Sequence, residues 1–269
     1  MAKKEIVLIH GTWGHASNWD EMRTELEARG YTVHTPILRY HDLPVWEGAL
    51  KLGTVRLLDY VNDLVEFVKT LDEPPIIGGV SMGGLLAQLV AARVENKGVL
   101  LLSPAPAWGM FPFYPSMLRT FYKHFLQWGF WRKPLYPHWE EFRWSVVNEQ
   151  TEEKAKEFFY SLKLESGRAY MDMGFWFLDP QRSSWVDVDA ITAPVLILGG
   201  AKDRVVAPRI ARVTANRYKK NGKLVVLPAS DHVMMVGKEL KNTMREFDQW
   251  VRENNIINTS EDQNGEVNA

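Results

Sequence analysis

The sequence predicts an α/β architecture: a mostly parallel sheet of about six strands, helices on both faces, and a mainly helical lid inserted before the last two strands. Three observations lead there. Most candidate strands are unbroken apolar runs, as strands covered on both faces require. Helical patterns and turn residues separate those runs, so strand and helix alternate along the chain. The alternation stops between about Ala105 and Trp185 and resumes at Pro194.

Taken in order, Ile6-Val7-Leu8-Ile9 is a fully apolar strand followed at once by His10-Gly11-Thr12-Trp13-Gly14. Ser17 or Asn18 caps a helix to about Ala28, with Trp19, Met22 and Leu26 on one face, and Gly30 stops it. Residues 31–35 form the next strand, and Pro36 ends its pairing. A loop with Pro44 and Gly48 follows. Thr54 then caps a helix to about Leu71 whose apolar positions include Val55, Leu58, Val61 and Leu64. Pro74-Pro75 breaks it. Residues 76–80 make a strand, residues 85–92 a helix, and residues 98–103 a strand ended by Pro104 and Pro106. After the interruption come a strand at 195–198, a helix from Pro208 to Tyr218, a strand at 223–227 and a helix from Gly237 to Val251. Pro208 suits a first helical turn. Residues 258–269 are polar and expected to be disordered. The expected organisation is a core of 1–104 and 186–257, a lid of 105–185 and a tail of 258–269.

Composition narrows the classes. With 269 residues, one core with an insertion is the natural reading. A net charge of −1 gives no general attraction to nucleic acid or to an anionic membrane. The absence of cysteine excludes disulfides, a thiol nucleophile and thiolate metal sites, and fits a reducing compartment. The few residues before His10 are too short for a signal peptide, and no apolar stretch has the length of a membrane span, so a cytoplasmic location is expected. Roughly two thirds of the aromatic residues fall in the insertion, more than a loop needs to bury itself. Part of them should line an apolar pocket.

The chemistry-bearing stretch is Gly78-Gly79-Val80-Ser81-Met82-Gly83-Gly84, between an apolar run and a helix. Strand, tight turn with a central serine, helix: this is the setting of a nucleophile elbow. To raise its hydroxyl off the strand end, Ser81 needs a strained backbone, and Gly79 and Gly83 leave room for strand and helix to pass. A serine nucleophile needs a base and an acid that orients it. The acid candidate is Asp203, just past a buried strand in Gly199-Gly200-Ala201-Lys202-Asp203. The base candidate is His232, beyond the last strand in Pro228-Ala229-Ser230-Asp231-His232, the only histidine after the acid. For the oxyanion, the Met82 N–H lies at the helix start, and the second donor comes from the turn after the first strand: Thr12, with Trp13 as the alternative. His10 reads as packing and hydrogen-bonding that turn. His15, His34, His41, His124 and His138 read as structural or surface residues, with His124 and His138 as secondary candidates in the lid.

These four motifs, in this order, resemble the α/β-hydrolase superfamily over nearly the whole core, from about Ile6 to Val251, with the insertion at that family's lid position. The resemblance implies an α/β-hydrolase fold, Ser81 as nucleophile, Asp203 as acid and His232 as base. Departures exist. Val80 stands where many relatives carry histidine or another polar residue, and Ser230-Asp231 precedes His232 where glycine is common, which sets a second carboxylate beside the base. The chain enters directly at the first parallel strand, so six strands are expected rather than eight.

A serine at the elbow argues against the epoxide hydrolases and haloalkane dehalogenases that resemble this fold but carry aspartate there. It implies acyl transfer without metal or organic cofactor. The aromatic insertion favours a small-molecule ester with a hydrophobic acyl or aromatic part, hence carboxylesterase or lipase-like activity. Rival readings are a thioesterase, an acyltransferase, a carbon–carbon bond hydrolase, a triad-retaining ligand receptor, and peripheral membrane binding through the aromatic insertion.

Overall fold

The computed structural model describes residues 4–256, so the tail expected to be disordered lies outside the described residues. Six parallel strands form the main sheet: β1 (Lys4–Ile9), β2 (Tyr31–His34), β3 (Ile76–Val80), β4 (Gly98–Leu102), β7 (Val195–Gly200) and β8 (Gly222–Leu227). Their spatial order is β2-β1-β3-β4-β7-β8. Ile6, Leu8, Val80, Leu100 and Leu198 belong to one buried cluster, and Val7, Ile9, Ile77, Leu101 and Ile197 to a second. Alternate residues thus enter opposite cores, and this makes the strands read as unbroken apolar runs.

The helices of the core are α1 (Asp20–Glu27), α2 (Val45–Lys51), α3 (Leu57–Lys69), α4 (Met82–Ala91), α9 (Pro208–Arg217) and α10 (Leu240–Glu253). Met22 and Leu26 of α1 pack in the same cluster as Phe247 and Trp250 of α10. Val61 and Leu64 of α3 pack with Leu85 and Leu89 of α4 in the other. The helices differ from the sequence expectation in several places: the first starts at Asp20 after a short turn capped by His15, not by Ser17 or Asn18, and the last at Leu240 rather than Gly237. The segment expected to be a loop contains α2, whose first turn closes by Gly48 N–H donating to Pro44 O at 2.9 Å. Its Val45, Trp46 and Leu50 are exposed, so no core-facing periodicity announces it. The next helix starts at Leu57, not after Thr54, because the Asp59 carboxylate accepts from the Arg56 backbone N–H at 2.8 Å and closes the turn there. The elbow helix starts at Met82 rather than Leu85.

Between β4 and β7 the chain forms α5 (Pro115–Phe125), β5 (Pro134–Leu135), α6 (Trp139–Ser145), α7 (Glu152–Tyr160), β6 (Glu165–Ser166) and α8 (Gly167–Gly174). The segment is mostly helical, but β5 and β6 pair antiparallel, with Leu135 opposite Glu165, a small sheet absent from the sequence reading. Two buried polar groupings tie this segment to the core. Arg56 reaches Asp172 at 3.0 Å and Asp179 at 2.8 Å. Glu165 accepts from the Tyr60 hydroxyl at 2.8 Å and faces His41 Nε2 at 3.3 Å.

His41 presents its other ring nitrogen to the Arg39 carbonyl at 3.2 Å, so both nitrogens meet acceptors, the pattern of a protonated ring. Burial works against that charge, and the Glu165 carboxylate overcomes it, holding His41 above the ordinary histidine value. Stability from this pair is therefore fully present below about pH 6.5 and is lost as pH rises through the raised native value. Glu165→Gln should cost about 3 kcal/mol in denaturant unfolding at pH 6, with a smaller deficit at pH 9. An equal deficit at both pH values would show that the pair carries no charge.

Candidate active site

In open parallel sheets the binding crevice lies at the carboxyl ends of the strands where the strand order reverses. Here the chain leaves β1 for β2 on one side and returns to β3 on the other, so that crevice opens between Gly11 and Ser81. Ser81 has φ 57° and ψ −123°, a conformation a serine adopts at a cost of about 1–3 kcal/mol. Its neighbours hold it there. The Ser81 N–H donates to Leu102 O at 3.0 Å, and its carbonyl accepts from Leu85 at 3.1 Å and Ala105 at 2.8 Å. A Cβ on Gly83 would lie 2.1 Å from Ile9 O, and one on Gly79 would lie 2.2 Å from Gly83 O. Only glycine fits where strand and helix pass this closely. Met82 opens α4, so its N–H belongs to the first helical turn, where developing negative charge is favoured.

Asp203 and His232 come together from loops 29 residues apart, with His232 Nδ1 and Asp203 Oδ2 separated by 2.7 Å. Asp203 Oδ1 accepts from the N–H groups of Val205 and Val206 at 2.9 and 2.8 Å, which fixes the carboxylate. The loops are joined by Ala201 N–H to Leu227 O at 2.9 Å and Lys202 N–H to Ser230 O at 2.9 Å. Burial disfavours a charged His232, yet the Asp203 carboxylate, helped by Asp231, raises it above the ordinary histidine value. Asp231 itself turns elsewhere. It accepts from Glu149 N–H at 2.9 Å, from Val233 N–H at 3.0 Å and from the Gln150 side chain at 3.2 Å, and so fastens the insertion beside the base.

The turn after β1 is held by His10, as the sequence suggests. His10 Nδ1 donates to Gly11 O at 3.0 Å, while Nε2 accepts from Leu38 N–H at 3.2 Å. Burial keeps that ring well below the ordinary histidine value, hence neutral. Trp13 has φ 62° and packs its indole under the insertion, 5.5 Å from the Phe121 ring.

Two chambers meet at Ser81. One, of about 500 Å³ and open to solvent, is lined by Thr12, Ser81 and His232 with Phe142, Phe158 and Met235. The other, of about 610 Å³ and likewise open to solvent, is lined by Thr12 and Ser81 with Met117, Phe125, Tyr170 and Ile210. Phe121 and Val205 belong to both walls. Thr12, Ser81 and His232 therefore share one space, with Asp203 behind the imidazole. No group of three or more side chains able to hold a metal ion occurs among the described residues.

The family model described as the alpha/beta hydrolase family matches residues 6–239. The chain belongs to the alpha/beta hydrolase family. A carboxylesterase of Bacillus subtilis is 24% identical over 238 residues, covering 88% of this chain and 87% of that protein. An extracellular alpha/beta-hydrolase from a Paenibacillus species is 23% identical, covering 91% of this chain and 98% of its own, with a TM-score of 0.70. A pyrethroid hydrolase from Sphingobium faniae is 22% identical over 93% of this chain and 98% of its own, with a TM-score of 0.67. These structural likenesses are likenesses of fold.

Sequence reasoning about this alpha/beta hydrolase missed two things. Asp231 fastens the insertion, and its partners Glu149 and Gln150 lie some 80 residues away, with no local signal. Phe121 on α5 lies in the walls of both chambers, and its ring packs on Trp13 and Tyr170, partners far away in the chain. Apolar spacing along α5 marks Phe121 as inward-facing but cannot say what it faces.

Proposed function

We propose that this alpha/beta hydrolase cleaves carboxylic esters with a hydrophobic acyl or aromatic part, through an acyl-enzyme on Ser81. The observation that carries the reading is a serine on a strained elbow, at the meeting point of two apolar chambers, beside a buried histidine–aspartate pair. An ester has two halves on either side of one reacting carbon, and two chambers flanking one hydroxyl suit that shape. The insertion acts as the lid that makes both apolar.

The roles follow. His232 Nε2 takes the Ser81 proton as Oγ bonds to the ester carbonyl carbon. Asp203 keeps the other ring nitrogen protonated and supports the imidazolium that forms. The carbonyl oxygen, now negative, receives hydrogen bonds from the Thr12 and Met82 N–H groups; such preorganised donors contribute about 3–4 kcal/mol each. The carbon–oxygen ester bond breaks, and His232 returns the proton to the departing alcohol. Water then attacks the acyl-enzyme with His232 again as base, releasing the acid and restoring Ser81.

A series of nitrophenyl esters of increasing acyl length tests this. The expected result is turnover that rises to one preferred length and then falls as the chamber fills. Absence of turnover across the whole series would refute the ester reading.

A further inference from the structure

The two chambers above Ser81 differ in one respect that an acyl transfer must use. Thr12 and Ser81 line both, but His232 lines only the chamber it shares with Phe142 and Met235. That chamber adjoins an outer polar pocket walled by Asp20, Glu21 and Lys154, with Asn18 and Phe158 as the walls common to the two spaces. The second chamber is of another kind. Met117, Phe125, Met173 and Ile210 wall it, and among the described residues no charged side chain lines it.

The reacting carbon turns this difference into an assignment. In the tetrahedral intermediate it carries Ser81 Oγ, the oxyanion, the acyl carbon and the alcohol oxygen. Ser81 and the turn after β1 fix the first two, so the other two extend into the two chambers. As the carbon–oxygen bond breaks, its electron pair stays on the alcohol oxygen. That oxygen takes the proton from His232 Nε2 and must lie within hydrogen-bond reach of the ring. Water needs the same ring: its proton passes to Nε2 as its oxygen bonds to the acyl carbon, so it enters where the alcohol left. The acyl chain takes part in no proton transfer, and its chamber can stay dry throughout.

We propose that the His232 chamber takes the alcohol half of the ester and the second chamber takes the acyl half. The inference rests on the ester-hydrolase reading and deepens it by naming the substrate class. The acyl group is hydrocarbon throughout, because an unpaired polar group buried among Met117, Phe125 and Ile210 is costly. The alcohol tolerates polar groups at its far end, which approaches the pocket of Asp20, Glu21 and Lys154. Specificity then divides by residue: Gly174 and Met117 set acyl length, and Phe158 sets the size of the alcohol.

Two ester series test the assignment, one varying the acyl chain on a fixed alcohol and one varying the alcohol on a fixed acyl chain. Gly174 lines the second chamber at the end of α8, and a Cβ there meets no atom within 4 Å. Leucine also suits a helix better than glycine, so Gly174→Leu should fold. It should shorten the preferred acyl chain, with longer esters losing about tenfold in kcat/KM, and keep the wild-type order of alcohols. Phe158→Ala joins the His232 chamber to the outer pocket. It should favour bulky and polar-tipped alcohols by about tenfold and keep the acyl order. Straight-chain alkylboronic acids bond to a nucleophilic serine and carry one carbon chain, so they read the acyl chamber without turnover. Their length dependence should shift in Gly174→Leu and stay in Phe158→Ala. That pattern with no ester turned over would refute the ester reading and keep the division of chambers for another acyl donor. Ester turnover in which Gly174→Leu alters the alcohol series, Phe158→Ala alters the acyl series, or neither variant alters either series would overturn the assignment and leave the ester reading standing.

Discussion

Ser81→Ala should lower kcat on any ester substrate on the order of 10⁶-fold, leaving only what the oxyanion donors and binding supply. The argument is geometric. The two chambers, the His232–Asp203 pair at 2.7 Å and the helix start at Met82 all survive the change. What disappears is the one oxygen able to bond to the carbonyl carbon. Alanine takes the same φ of 57° with a strain like that of serine, so the unfolding midpoint should stay near that of the wild type. Loss of activity together with loss of cooperative unfolding would instead report a damaged elbow, and residual turnover near wild type would remove Ser81 from the reaction.

Asp203→Asn should lower kcat by about 10⁴-fold at neutral pH. An amide in place of the carboxylate can turn its NH₂ toward His232 Nδ1, which then becomes the acceptor and leaves the proton on Nε2, facing Ser81. The pH profile gives an independent sign. Catalysis needs neutral His232, and Asp203 raises that residue above its ordinary value of 6.5, so kcat/KM of the wild type should climb through a midpoint above 6.5. In Asp203→Asn the carboxylate is gone while the burial that lowers His232 remains, so the midpoint should move down. The stabilisation that the His232 charge brings the wild type is present below about pH 6.5 and lost as pH rises through the native value. Wild-type activity in Asp203→Asn would require another carboxylate. Asp231 is poorly suited, with its oxygens already accepting from Glu149, Val233 and Gln150.

What could be read from the sequence was local. The strands are legible because alternate side chains enter two cores, leaving runs such as Val99-Leu100-Leu101-Leu102 without a polar residue. Ser81, Asp203 and His232 are legible as candidates because each stands just past such a run, and the parallel sheet carries all three to one edge. The first turn of α3 was misplaced because Thr54 and Asp59 both offer caps, and only the Asp59 carboxylate finds its N–H. Helix α2 was missed because Gly48 and an exposed apolar face both argue against a packed helix. The β5–β6 pair and the Glu165–His41 contact join residues far apart in the chain, and nothing local in either partner names the other.

The central claim is that Ser81 is an activated nucleophile. A fluorophosphonate probe reacts with such a serine and not with an ordinary hydroxyl, so the measurement is labelling of purified protein followed by mass spectrometry of its peptides, wild type beside Ser81→Ala. The expected result is one adduct, on the peptide that carries Ser81, absent from the variant. An unlabelled wild type, or an adduct that persists in Ser81→Ala, would contradict the claim.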